Sequence, residues 1–410
     1  MITQLCRSCE AANLIEILNL GFAPPSNALL NKEDLHKGEI HYPLVLLFCE
    51  ECKLVQTRDF HSGEALFTPD YPYLSSTSTT WIKHSNELVD RVIKEFNLDG
   101  NSLVAEIASN DGYLLERLSQ QGIPAYGIEP TKLAADISIS KGHHVYNCFL
   151  NLDTASRIKS DKGSANLIIA NNVFAHVPEL QTFTEAAKLL LADNGILIIE
   201  VQYFGQLLEQ NLFDTIYHEH YSYFSATSIR NLLDRYQLGI FRMERIATHG
   251  GSIRVYARNN SIISNYETLI DPISDSEFKA TNLEDLLRFQ KSVNRLERKL
   301  RDFFFIQENA GKVVAGLGAP AKGNTLINFL RLSERDIRYV FDSAPSKQGK
   351  YLPGSHIPIH PLNDVDKFID VDLFIALPWN ISQELAYSAR SILSRETLIY
   401  QLLPKIQLVS

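Results

Sequence analysis

The sequence predicts an α/β protein made of a small N-terminal zinc-binding module and two Rossmann-like domains. Three observations predict it. Two Cys-x-x-Cys pairs open the chain, apolar strands alternate with amphipathic helices from residue 103, and a second strand–glycine-rich loop–helix unit follows residue 312. These patterns place the domains at residues 1–75, 76–262 and 263–410.

The composition favours a folded protein without nucleic-acid or membrane partners. The 410 residues are 45% apolar and 21% charged, with a net charge of −9. Phosphate contacts require Lys and Arg, and an acidic chain has no excess of these residues over Asp and Glu. No apolar run reaches the ~18–20 residues of a membrane span, and the N-terminus has no basic region followed by an apolar core. We therefore expect a cytoplasmic protein, in which reduced thiols favour metal ligation over disulfides.

The N-terminal cysteines have the spacing of a zinc site. Two-residue separation lets both thiolates of a pair face one ion, and two pairs complete a tetrahedral shell. Four thiolates leave no position for water, so such a site is structural. The alternatives are unrelated thiols or one redox pair. The predicted ligands are Cys6, Cys9, Cys49 and Cys52.

A mostly parallel sheet is predicted in the middle of the chain. Strands are expected at 103–107, 126–130, 166–170 and 196–201, with a helix over 180–191 and a turn at 193–195. Ligands of such sheets bind beyond the carboxyl ends of the strands. The residues at those ends are therefore candidate cofactor contacts: Glu106, Ala108, Asn110, Asp111, Gly112, Glu129, Asn171 and Asn172.

The turn after the first of these strands resembles that of class I methyltransferases. Their usual pattern is E-x-G-x-x-x-G, and this chain reads Glu106-Ile107-Ala108-Ser109-Asn110-Asp111-Gly112, with alanine at the usual first glycine. The resemblance implies an S-adenosylmethionine (SAM) site. A dinucleotide-binding turn is the alternative, but its G-x-G-x-x-G pattern is absent. The other alternative is a turn without a ligand.

A histidine-rich segment, 217–223, is the most unusual part of the sequence. Two histidines, one glutamate and three tyrosines occupy six of its seven positions. Histidine titrates near neutral pH, so acid–base chemistry is one interpretation, and Glu219 or a tyrosine would orient the base. A metal site with H-x-H spacing and a packed aromatic loop are the alternatives.

Two further segments offer candidate substrate contacts. A Gly-rich turn around His249 leads into a strand that carries Arg254, which could reach a phosphate or a surface carboxylate. The loop after residue 315 contains Lys322 and Asn324 but departs from the P-loop pattern. Backbone amides at the following helix start favour phosphate, so this loop is a candidate nucleotide contact.

Five segments in order resemble the sugar C-methyltransferases of deoxysugar biosynthesis: the cysteine pairs, EIASNDGYLL, YHEHYSYFS, THGGSIRVY and GLGAPAKGNTLINF. The resemblance implies a zinc module, a SAM domain and a C-terminal Rossmann-like domain, with a nucleotide sugar between the last two. It also implies His220 as the base, Tyr217 and Glu219 beside it, and Tyr71 or Tyr73 from the N-terminal module. The resemblance also argues against a metal site formed by the two histidines of the H-x-H segment.

The resemblance implies carbon methylation through an enolate. His220 would remove a proton next to the ketone of a 4-keto-deoxysugar, carried by thymidine diphosphate (dTDP), and donors would stabilise the oxyanion. The rivals are O- or N-methylation of another metabolite, a nicotinamide-dependent sugar oxidoreductase or isomerase, and a noncatalytic zinc adaptor. Monomer and homodimer both stay open.

Overall fold

The computed structural model describes residues 4–58, 74–262, 269–270, 274–392 and 397–409. Within these residues, no helix has both the length and the apolar character needed to cross a membrane. The strands form three sheets, of four, eight and six strands. Most strands of each sheet come from one of the three predicted parts, but the strands Ser222–Tyr223 and Leu269–Ile270 belong to the sheet of a different part, and the boundaries at 75 and 262 stay predictions.

The strands, in chain order, are β1 Leu14–Ala23, β2 Tyr42–Cys49, β3 Val55–Thr57, β4 Val104–Ile107, β5 Ala125–Ile128, β6 Val145–Tyr146, β7 Ala165–Asn171, β8 Leu191–Gln202, β9 Ser222–Tyr223, β10 Leu238–Ile246, β11 Ser252–Asn259, β12 Leu269–Ile270, β13 Val314–Leu317, β14 Tyr339–Asp342, β15 Ile359–Pro361, β16 Leu373–Ala376, β17 Leu398–Gln401 and β18 Gln407–Leu408.

The α-helices, in chain order, are α1 Thr79–Glu95, α2 Tyr113–Gln120, α3 Lys132–Ser140, α4 Leu152–Lys162, α5 Leu180–Leu190, α6 Phe204–Gln210, α7 Ala226–Arg235, α8 Ser274–Thr281, α9 Leu283–Asn309, α10 Ala321–Leu330, α11 Val365–Ile369 and α12 Ser382–Ile392.

The N-terminal sheet is antiparallel and takes its last strand from the middle of the chain. Its order is β1-β2-β3-β9. Val55 pairs with Tyr223 and Gln56 with Ser222, and the amide of Thr57 donates to the carbonyl of Tyr221 at 3.1 Å. The histidine-rich segment therefore ends inside the zinc-module sheet.

The middle sheet has the strand order β12-β10-β11-β8-β7-β4-β5-β6. The five neighbouring strands β8, β7, β4, β5 and β6 are parallel to one another. β11 lies between β8 and β10 and runs antiparallel to both. The connections reverse direction across the sheet between β4 and β7, which creates a crevice at the carboxyl ends of these strands. Helices cover both faces, so the central strands are almost continuously apolar and buried.

The C-terminal sheet has the order β15-β14-β13-β16-β17-β18, and only β18 among them is antiparallel to its neighbour. It is the second Rossmann-like unit that the sequence predicts. The 27-residue helix α9 packs its apolar side, including Phe289 and Val293, into one core with Ile17 and Leu46 of the zinc-module sheet. The first and third parts are thus in direct contact.

The sequence-based elements agree closely with the structure, with one clear error. The fold class is confirmed. The predicted turn at 193–195 lies inside β8, whose pairing with β7 jumps from Leu191 to Ile196. Asp193 and Asn194 are exposed in this irregularity, which explains their turn-like composition.

Trp379 connects the C-terminal and middle domains. Its indole nitrogen donates to Asp214 Oδ2 at 2.7 Å, and the Lys322 ammonium lies 4.5 Å from its ring centroid. A Cβ atom added to Gly250 would lie 2.1 Å from Trp379 Cη2. Only glycine therefore permits this approach, and its φ of +87° also favours glycine.

Gly250→Ala should destabilise the protein by about 1–3 kcal/mol, because the methyl group collides with the indole and the backbone is left-handed. Urea unfolding measures the loss. Gly100→Ala is the matched control, since nothing lies within 4 Å of its added Cβ. Equal stability of both variants would contradict the docking of Trp379 on Gly250.

Candidate active site and metal centre

The four N-terminal cysteines converge on one point. Their sulfur atoms all lie within 4.8 Å of one another, and Cys6 Sγ is 3.4 Å from Cys52 Sγ. Cys49 ends β2, and Cys52 follows in the turn to β3, so the sheet holds this pair in place. Four sulfur donors at this separation suit tetrahedral Zn²⁺ and leave no open position for a reacting water.

One large cavity, of about 1100 Å³, is lined by residues of the turn after β4, by Tyr217 and His220, and by residues of the C-terminal domain. One end lies at the carboxyl ends of β4, β5 and β7. The wall continues past Tyr217 and His220, and the other end carries Lys322 and Lys347 of the C-terminal domain. The lining residues thus provide a cofactor end, a candidate reacting centre and a cationic end.

The turn after β4 has the backbone that a close ligand approach requires. Ala108, Asn110 and Gly112 all have positive φ, of 58°, 49° and 80°. Left-handed geometry explains why class I methyltransferases usually carry glycine at the Ala108 position. A Cβ atom on Gly112 would lie 2.4 Å from Ser138 Oγ, so that glycine is also sterically required. Ala108 and Asn110 line the cavity.

Glu129 ties this turn to the end of β5. Its carboxylate accepts from the amides of Asn110 at 2.9 Å and Thr131 at 2.8 Å, and burial raises its pKa. Glu129 lines the cavity, whereas Glu106 and Asp111 are buried behind the turn. Burial, reinforced by the charge of Glu129, raises the pKa of Glu106 well above its ordinary value.

Asn171 ends β7 and Asn172 follows it, whereas the sequence placed both after the strand, and both line the cavity. Within the described residues, neither amide atom of the buried Asn171 side chain has a hydrogen-bond partner. A buried amide is costly without partners, so this side chain is suited to a bound ligand. Asn172 has a φ of 52°, and its amide donates to the carbonyl of Glu200 at 2.7 Å.

His220 is held with its two ring nitrogens in different roles. Nδ1 lies 3.1 Å from the carbonyl oxygen of Thr215, and Nε2 lies 2.7 Å from Tyr217 Oη. A carbonyl only accepts, so Nδ1 carries the proton of the neutral ring. Nε2 is therefore the basic nitrogen, and the Tyr217 hydroxyl donates to it. Both side chains line the cavity.

Glu219 lies beside this pair but not on the cavity wall. Its side chain is buried, and its two carboxylate oxygens accept from Asn27 Nδ2 at 2.9 and 2.8 Å. Its backbone carbonyl accepts from His176 Nδ1 at 2.9 Å. The structure thus brings Tyr217 and His220 to the cavity and places Glu219 behind them. Tyr71 and Tyr73 lie outside the described residues.

The candidate substrate contacts divide into those that face the cavity and those that do not. Lys322 faces the cavity. Burial lowers the pKa of its ammonium to about 8, although the negative charge of Asp214 acts to raise that pKa. Asn324 is buried away from the wall, and its amide has no hydrogen-bond partner among the described residues. The side chain of His249 lies outside the described part of the structure.

Arg254 contacts a buried carboxylate, in place of the surface carboxylate that the sequence suggested. Its Nη2 lies 2.8 Å from Glu200 Oε2, and both side chains are buried. His84 Nε2 and Thr248 Oγ1 also bind the Glu200 carboxylate, each at 3.0 Å. Arg254 is off the cavity wall, so its contact with a substrate phosphate stays a prediction without support from this geometry.

The sequence analysis did not name several cavity residues, among them Asn27, His176 and Lys347. His176 lies five residues after Asn171 in the segment that follows the predicted strand, and this position was a usable signal. Its ring centroid lies 4.7 Å from that of His220, and burial lowers its pKa to about 4. It is therefore a neutral ring near pH 7. Nothing local in the sequence marks Asn27 or Lys347.

Three family models match the chain in domain order. One described as "Putative zinc binding domain" matches residues 6–67, "Methyltransferase domain" matches 81–241, and "C-methyltransferase C-terminal domain" matches 247–404. The C-methyltransferase NovU of Streptomyces niveus is 29% identical over 407 residues, which cover 99% of this chain and 96% of NovU.

Solved structures of methyltransferases match part of the chain. A SAM-dependent methyltransferase from Anabaena variabilis covers 49% of this chain and 96% of its own, at 17% identity and a TM-score of 0.38. The magnesium protoporphyrin IX methyltransferase of Synechocystis covers 43% of this chain and 79% of its own, at 18% identity and a TM-score of 0.34.

The strand order, the turn after β4 and the matching methyltransferase model define a SAM-dependent methyltransferase of class I. The zinc-binding model and the four converging thiolates add a structural zinc site. In this domain order, with the zinc-binding model first and the C-methyltransferase model last, the chain is similar to the C-methyltransferase NovU over nearly its full length.

Cys49→Ser should lose zinc and folded protein together, because the binding energy of a structural zinc is part of the folding energy. Metal analysis of purified protein and thermal unfolding measure the two effects. Cys148→Ser is the matched control, since Cys148 lies outside the four-thiolate cluster and should keep its zinc. Complete zinc loss with unchanged unfolding would contradict a structural role.

Proposed function

We propose that this C-methyltransferase acts on a nucleotide-linked 4-keto-deoxysugar, with dTDP as the carrier, and methylates a carbon next to the ketone. The observation that carries the proposal is the Tyr217–His220 pair in a cavity shared with the SAM turn and two lysines. A carbon next to a ketone is weakly acidic, and removal of its proton requires a positioned base.

His220 is the proposed base. The hydrogen bond from Nδ1 to the Thr215 carbonyl fixes the tautomer, so Nε2 is the nitrogen that takes the proton. On substrate binding, the Tyr217 hydroxyl moves its hydrogen bond from Nε2 to the ketone oxygen. The same hydroxyl then stabilises the enolate oxygen as charge develops there. Neutral His176, 4.7 Å from His220 between ring centroids, avoids competing positive charge.

The two ends of the cavity support the two bound partners. When bound, SAM supplies an electrophilic methyl group on its sulfonium. Ala108, Asn110, Glu129 and Asn171 hold the cofactor end, where the carboxylate of Glu129 and the amide of Asn171 suit polar groups of the cofactor. Lys322 and Lys347 supply positive charge at the other end, which suits the diphosphate of a nucleotide sugar. Holding both partners in one cavity favours methyl transfer over release of the enolate.

Deuterium incorporation from solvent tests this function. We expect the enzyme to exchange the proton next to the ketone of a dTDP-4-keto-deoxysugar, seen by NMR, and to form a new carbon–methyl bond once SAM is added. A methyl group on oxygen or nitrogen without exchange would refute carbon methylation and favour the rival methyltransferase chemistry.

His220→Asn should reduce both exchange and turnover by about 10²-fold or more, because it removes the base. SAM affinity by calorimetry should stay unchanged, since His220 is not among the candidate cofactor contacts. Tyr217→Phe is the comparison variant, which keeps the base and loses the oxyanion donor. Near-normal exchange in His220→Asn would exclude His220 as the base.

A further inference from the structure

The segment after β1 extends from the zinc module to the active site. It leaves the sheet at Ala23, and the amide of Leu29 donates to the carbonyl of Asn27 at 2.8 Å, which fixes a turn. Ser26 Oγ lies 3.4 Å from Thr325 Oγ1 of the C-terminal domain, and the backbones of Leu30 and Tyr351 exchange hydrogen bonds. Contacts on both sides of Asn27 therefore hold it in place.

Asn27 is the residue of this turn that reaches the candidate catalytic segment. Its Nδ2 donates to both carboxylate oxygens of Glu219, at 2.9 and 2.8 Å, across 192 positions of sequence. Asn27 lines the cavity, while the buried carboxylate of Glu219 lies behind it. The side chain of Glu219 is thus held from the zinc module, and its backbone carbonyl is held by His176.

We propose that Asn27 is a positioning residue, through which the zinc module orients Glu219 and the adjoining His220. The inference rests on the proposed function for its catalytic consequence, but its structural part does not. The Glu219 carboxylate must be held in one orientation, because Glu219 and His220 are adjacent in the chain. If the Glu219 side chain rotated, the backbone that carries His220 would shift. The amide is suited to this because it donates to the carboxylate and carries no charge of its own.

The zinc-module sheet adds a second, independent hold on the same segment. β3 pairs with β9, which begins two residues after His220. Arg7, next to the ligand Cys6, donates to the carbonyl of Pro178 at 2.8 Å and lies 4.7 Å from the ring centroid of Tyr221. The zinc module therefore holds the residues after His220 by strand pairing. It holds the side chain of Glu219, which precedes His220, through Asn27.

Asn27→Asp tests the inference by replacing the donor with a second carboxylate. At pH 8 the two carboxylates repel, and we expect exchange and turnover to fall at least about tenfold. Two carboxylates in contact share a proton at a pH well above that of an isolated carboxyl group. When it is protonated, the introduced carboxyl group can donate a hydrogen bond to Glu219, as Asn27 does. The ratio of variant to wild-type activity should therefore rise as the pH falls from 8 towards 6.

Three further variants separate positioning from general damage. Asn27→Ala should lose activity without this recovery at low pH. The double variant Asn27→Asp/Glu219→Gln exchanges the donor and acceptor, so it should regain about tenfold over Asn27→Asp at pH 8. Asn13→Asp is the matched control: it adds the same charge to an exposed position of the same module and should behave as wild type.

Amide hydrogen exchange of residues 213–224, followed by mass spectrometry, tests the positioning without any substrate. Asn27→Asp at pH 8 should speed exchange in this segment several-fold, while Asn13→Asp should not. Wild-type protection together with a wild-type pH profile in Asn27→Asp would overturn the inference. If wild-type enzyme fails on keto sugars, the proposed function falls, and the protection of this segment still decides the role of Asn27.

Discussion

The candidate catalytic segment depends on backbone hydrogen bonds to a sheet that belongs to another part of the chain. Val55 pairs with Tyr223, and the amide of Thr57 donates to the carbonyl of Tyr221. A two-residue strand has little stability by itself, so β9 exists because the zinc-module sheet accepts it. The four thiolates close the turns of that sheet. A metal site with no open coordination position therefore helps to hold the candidate catalytic segment in place.

Local patterns in the sequence were sufficient for most of the fold. The strand predicted at 166–170 is β7, which extends one residue further at each end. It was predictable because a short apolar run in an alternating α/β pattern has one reasonable interpretation. The cysteine pairs were equally readable, since two-residue spacing directly places two sulfurs on one ion. The turn expected at 193–195 failed because Asp193 and Asn194 belong to an irregularity within β8, and composition does not distinguish the two.

The site was harder to predict wherever partners are distant in sequence. Tyr217 and His220 were assigned through the family resemblance of one short segment, within which their hydrogen bond spans three positions. Asn27 and Glu219 are 192 positions apart, and a lone asparagine after two prolines has no distinctive signal. Alternation correctly put Arg254 on a strand but could not identify Glu200 as its partner. The choice of partner depends on register between strands, which a single sequence does not reveal.

Ala108 has a consequence for how such proteins diverge. Its left-handed backbone costs roughly 1–2 kcal/mol for a residue with a Cβ atom, a cost that glycine avoids. Alanine is small enough to keep the path of the chain, whereas a β-branched side chain would distort it. Evolutionary drift at this position is therefore confined to a few small or turn-forming residues. A search pattern that insists on glycine would discard lineages whose backbone, and hence whose cofactor turn, has not changed.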